Sequence, residues 1–137
     1  MGTLVEAVKY IQTQTITLTG VREAPDYPPG TLGSTPIFIC VPSGGQYESL
    51  NRVTLKNRHE IALQLWVSRK DLPRDVEKLA PFIDTVSNML WGDPTLGGNV
   101  MTIVSPITYS VGARDYGAQT YLVCEWIITV KQENTIT

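Results

Sequence analysis

The reactive side chains of this sequence are few, and their spacing sets them apart from one another. His59 is the single histidine. No acid or cysteine is arranged beside it in a nucleophile pattern, so an ordinary surface role at the start of a strand is expected. The two cysteines, Cys40 and Cys124, each sit inside an apolar run, PIFICV and LVCEWII. They read as two buried small hydrophobes in a reducing compartment, or as one bridge between two strands. There is no CxxC, no HExxH and no acidic calcium loop, so neither a metal nor another cofactor is expected. Glu125 is the acid most embedded in apolar sequence. It is either on the exposed face of the last strand or a buried charge that needs an Arg or Lys partner. The glycine pairs SGGQ (43–46) and LGGN (96–99) lack phosphate-loop spacing and read as turns. Nothing here assembles a catalytic centre, and no enzymatic activity is expected.

Seven basic residues fall between Arg52 and Lys78, among them Arg58 and Arg69, with four acids mixed in. Apart from Trp66 they lack the interleaved aromatics of a nucleic-acid platform. They form either a solvated, salt-bridged face or a set of charges that pair with a neighbouring subunit. The whole chain carries a formal net charge of -2, which does not announce nucleic acid as a direct partner. With 137 residues, 42% of them hydrophobic, it is long enough for one domain with its own core and too apolar for a disordered segment. MGTLVEAVKY has no basic region leading into a long apolar stretch, so a signal peptide is not expected. No apolar window is long enough to span a membrane.

Hydrophobic spacing predicts the elements that position these residues. Leu4, Val5, Val8 and Ile11 fit one face of a short N-terminal helix, and QTQTITLT (12–19) alternates as a weak strand. Residues 20–35 hold three prolines and three glycines and predict an extended arm. Pro36–Val41 predicts a strand apolar on both faces. A second arm is expected over about 43–58. Alternation from His59 then places Ile61, Leu63, Leu65 and Val67 on one side of a strand. The strongest pattern is a helix from about Pro73 to Trp91. Its stripe is Val76, Leu79, Ala80, Ile83, Val86 and Leu90. Asp71 is the expected cap, Pro81 a kink or break, and Gly92 a left-handed stop. Two strands, Val100–Ser105 and Ile107–Val111, are expected to bend at Pro106. GARDYGA (112–118) reads as a turn, and Thr120–Lys131 as a long last strand. Strands on both sides of one strong helix predict an α+β domain with a mostly antiparallel sheet and the main helix on one face.

Two long arms, an over-long strand and aromatics expected at the surface (Tyr27, Tyr47, Tyr116) favour an assembly protein. Arms of this length stay ordered where a partner orders them. The run from Asp71 to Val130 resembles the tail terminator proteins of long-tailed bacteriophages. The likeness lies in a helix ending at Leu90-Trp91, then DPTLGGNV, a strand pair, and YGAQTYLVCEWIITV. Head–tail joining and neck proteins look similar at this level, and a small α+β ligand-binding domain is the reading from another class. The terminator resemblance implies a subunit of a homo-hexameric ring in the virion, assembled in the host cytoplasm. The ring would sit on the tail tube protein, stop tube growth, meet the head–tail connector and let DNA pass as cargo. On this reading Tyr27, Tyr47, Arg58, Arg69, Arg114, Asp115 and Tyr116 are the expected interface residues. Charge reversal at Arg69 and Arg114 together is expected to impair assembly while leaving the fold intact.

Overall fold

A computed structural model describes residues 2–25, 28–30, 32, 35–49, 51–69 and 72–135. Helix α1 spans Leu4–Ile16 and is capped by Thr3, whose hydroxyl accepts from the Glu6 amide at 3.2 Å. It continues through QTQTI, where alternation predicted a strand. The buried stripe is Val8, Ile11, Gln12 and Thr15, a helical spacing with two polar members. Gln12 donates to the Pro25 carbonyl at 2.6 Å and Thr15 to the Gln12 carbonyl at 2.9 Å, while the Gln12 Oε1 is buried without a partner among the described residues.

Four strands follow: β1 (Ile37–Ser49), β2 (Thr54–Ser68), β3 (Thr102–Tyr116) and β4 (Gln119–Thr135). Helix α2 (Leu72–Gly92) lies between β2 and β3. The sheet order is β1-β2-β4-β3, and every neighbouring pair is antiparallel. The fold is α+β, as the element pattern predicts.

The second expected arm is instead a hairpin. β1 runs past Val41, shifts register between Pro42 and Gly44, and pairs as far as Ser49 with Leu55. Gly45 permits this, because a Cβ there would stand 2.7 Å from the Arg58 carbonyl oxygen. The Asn51 side chain closes the turn by accepting from the Val53 and Thr54 amides at 2.9 Å. The first arm is tied down in part. The Arg22 amide donates to the Pro36 carbonyl, the Phe38 amide donates to the Glu23 carbonyl, and Leu18, Val21 and Ala24 pack on the core.

α2 runs through Pro81 without a break, and Pro81 stands on its exposed side. Water can reach the carbonyl that the missing N–H leaves open there. The buried stripe is Asp75, Leu79, Phe82, Val86 and Leu90, while Val76 is 45% exposed. It is therefore rotated from the one predicted. The expected cap, Asp71, lies outside the described residues. Gly92 is not left-handed; Leu96, Gly97 and Gly98 carry the positive φ angles of the turn after α2. Asp93 organises that turn by accepting from Tyr10, Thr95 and the Gly97 amide. β3 is one strand with a register shift between Val104 and Thr108, not two strands bent at Pro106. Its hairpin to β4 turns at Gly117, with φ 64°, which is tighter than GARDYGA predicts.

Both helices cover one face of the sheet. Ala7, Val8 and Ile11 from α1 and Leu79, Phe82 and Val86 from α2 pack on Phe38, Leu63, Leu65 and the even residues of β4. Phe38 sits edge-on to Phe82 and beside Trp126, with ring centroids at 5.8 and 6.2 Å. A second, smaller cluster lies on the opposite face at Ile37, Ile39, Trp66, Tyr121 and Val123.

Candidate assembly surface

Three of the seven expected interface residues are engaged within the subunit. Arg114 makes a two-pronged ion pair with Glu125, each guanidinium nitrogen 3.1 Å from a carboxylate oxygen. Glu125 also accepts from Gln64 at 2.7 Å, and Gln64 accepts from the Trp66 indole at 3.1 Å. Glu125 is thus the half-buried acid with an arginine partner, one of the two expected outcomes. The Arg114 guanidinium holds its carboxyl below the usual carboxylate range. Asp115 accepts from Thr120 across the hairpin. Tyr116 is no free aromatic. Its hydroxyl donates to the Pro29 carbonyl, and its ring stands edge-on to Trp66 at 5.0 Å.

Three others are at the surface. Tyr47 is 71% exposed on the β1–β2 hairpin. Arg58 is exposed on β2, opposite Gln46 on one side and Lys131 on the other. Arg69 is exposed just beyond the end of β2. Tyr27 lies outside the described residues. The three surface residues do not converge: Tyr47 and Arg58 stand at one end of the β1–β2 ladder and Arg69 at the other.

His59 is buried, contrary to its expected surface place. It stacks edge-on with Tyr47 at 5.6 Å, and burial lowers its pKa. Cys40 and Cys124 are buried free thiols, each pushed up to about 12 by desolvation. The bridge alternative is not formed. A groove of about 1000 Å³ runs between α2 and residues 17–22, floored by Phe82, Val67 and Leu18. Its charged lining side chains are Arg22, Glu77 and Lys78. Among the described residues, no group of three or more His, Cys, Asp or Glu could hold a metal ion. Among the same residues, no helix is long and apolar enough to cross a membrane.

The open edges of the sheet are the surface that sequence reasoning missed. Among the described residues, no strand pairs with the outer side of β3. Among them, the outer side of β1 carries the parallel bridge from Glu23 to Ile37. Tyr109 and Val111 on β3 are 55% and 46% exposed. Both fall within the expected strand Ile107–Val111, but no local pattern marks that strand as a sheet edge. No family model matches the chain, and no curated protein does.

Proposed function

We propose that this chain is a ring-forming structural subunit of a phage tail, a tail terminator without catalytic activity. One observation carries the reading. Among the described residues, the sheet leaves two different strand edges unpaired by any strand, the outer side of β3 and that of β1 beyond the Glu23–Ile37 bridge. Unlike edges joined head to tail give a heterologous contact, and such contacts close into rings when the rotation fits. A strand edge offers main-chain hydrogen bonds to any copy that reaches it. The partners on this reading are further copies of the chain, six to a ring, the tail tube protein and the head–tail connector. DNA passes through the lumen as cargo, and a net charge of -2 favours passage over adhesion. The site of action is the virion, after assembly in the host cytoplasm.

The test is capping. Purified chain is added to tail tubes growing from their subunit and tube length is read by electron microscopy. A terminator arrests growth and leaves a ring at one tube end. Binding to filled heads in place of tubes would make it a neck protein. Binding to neither, with tubes growing on unaltered, would remove the chain from the tail.

A further inference from the structure

We infer that the outer edge of β3 receives the tip of the β1–β2 hairpin from a second copy of this chain. Tyr47 of that copy lies on the exposed side chains of Tyr109 and Val111. This rests on the head-to-tail reading above and gives it a register. Three observations carry it.

The first is direction. With every neighbouring pair antiparallel in the order β1-β2-β4-β3, the outer strands β1 and β3 run in opposite senses. A copy laid alongside in the same orientation therefore meets β3 with an antiparallel β1, the same ladder as the rest of the sheet.

The second is the face. Tyr47 is opposite Asn57, and Asn57 opposite Gln132 on β4. Tyr109 is opposite Trp126 and Val111 opposite Cys124. Directly opposed residues share a face, and so do alternate residues of β4. All three exposed side chains therefore project on the helix side of the sheet. A sheet continued through the β3–β1 contact keeps them together. With Tyr47 opposite Tyr109, Gly45 falls opposite Val111, Gln46 opposite Ser110 and Glu48 opposite Thr108. That register makes one aromatic pair and one diagonal aromatic–valine contact, and opposes no like charges.

The third is the absence of protection. Exposed edges are ordinarily blunted by charges, prolines or bulges. TYSVGA (108–113) on β3 and SGGQY (43–47) on β1 contain neither charge nor proline, and Glu48, opposite Thr108, is the one charge in the four proposed pairs. The two irregularities, Pro42/Gly44 and Val104/Thr108, bound the proposed ladder and do not interrupt it.

The test uses the full-length single variants Tyr47→Cys and Tyr109→Cys and the double variant that carries both. Each is oxidised alone and mixed, in solution and on tail tubes. Both sites are exposed, so each variant is expected to fold as the parent, with circular dichroism as the check. The expected result is a covalent dimer in the mixture only, and a ladder of multimers from the double variant. A Tyr109→Cys dimer forming alone as readily as in the mixture would overturn the inference in favour of β3 pairing with itself. A mixture that stays uncross-linked in both settings would also overturn it. Cross-links without tube capping would keep the edge pairing and sink the terminator reading; capping without cross-links would do the reverse.

Discussion

Arg114 and Glu125 face the same side of the β3–β4 hairpin, and each of the two guanidinium nitrogens meets one carboxylate oxygen at 3.1 Å. The pair joins strands of one subunit, so charge reversal at Arg114 acts on the fold before it acts on any partner. Glu125→Gln is expected to cost about 1 kcal/mol, read as a lowered urea midpoint, because the Arg114 side chain is 44% exposed and water screens the pair. The swap of Arg114→Glu with Glu125→Arg is expected to recover part of that loss. The carboxyl pKa is lowered in the folded chain, so this stability is present above the ordinary carboxyl pKa. It is lost as pH falls through the folded value. Equal midpoints for Glu125→Gln and the parent at neutral pH would show that the pair contributes nothing.

Gly97 and Gly98 separate two kinds of cost. Both have positive φ, 70° and 85°. A Cβ on Gly97 would also lie 2.7 Å from the Tyr10 ring, whereas one on Gly98 meets nothing within 4 Å. Gly98→Ala is expected to cost about 1 kcal/mol from backbone strain alone. Gly97→Ala is expected to cost roughly 2–3 kcal/mol, since the Tyr10 ring must shift as well. Thermal melts of both variants check the order.

The two thiols are expected to be silent toward Ellman's reagent at pH 8 in the folded protein. Burial raises each to about 12, so little thiolate exists and little of either sulfur is reachable. Two equivalents are expected to react after denaturation in guanidinium. Rapid modification of one thiol in the native state would refute the packing around it.

His59 gives a pH dependence of its own. Burial lowers its folded pKa, so the unfolded chain takes the proton first as pH falls below about 6.5. Stability is complete above that pH and declines toward the folded pKa. The parent is therefore expected to lose denaturant midpoint between pH 7.5 and 5.5, and His59→Gln to show a flatter profile. No other side chain type ordinarily titrates in that window.

Phe38 links the helix layer to the sheet through Phe82 and Trp126. Phe38→Ala is expected to cost about 3–5 kcal/mol and to leave the chain with little or no cooperative unfolding transition. Calorimetry reads it directly.

The sequence was most legible where apolar spacing and burial coincide. Ile61, Leu63, Leu65 and Val67 alternate in the text and line the core in the fold. The even residues of β4 behave the same way. Reading failed where buried positions are polar or small. Gln12 and Thr15 hide the last turn of α1 because their hydropathy does not announce their burial. Gly44 and Gly45 hide half of β1, because glycine disfavours strands except where backbones approach closely. Asp75 and Phe82 turn the α2 stripe away from the predicted one. The candidate assembly surface was the least legible part. An open edge is defined by which strand lies beside which, and strand order is not written in any local pattern. Tyr116 and Arg114 are marked by residue type as surface groups, yet their partners Pro29 and Glu125 come together only through the fold.

The central ladder has a kinetic corollary. β1 with β2, and β3 with β4, are neighbours in the chain and can zip from their turns outward. β2 with β4 joins Ser68 to Tyr121 and Thr54 to Thr135, across the whole of α2. Closing that seam means ordering a long intervening loop before its contacts repay the entropy. Until then, each half-sheet exposes the unpaired edge of an inner strand. Slow seam closure at high concentration is thus the moment when nascent chains are most prone to join the wrong neighbour.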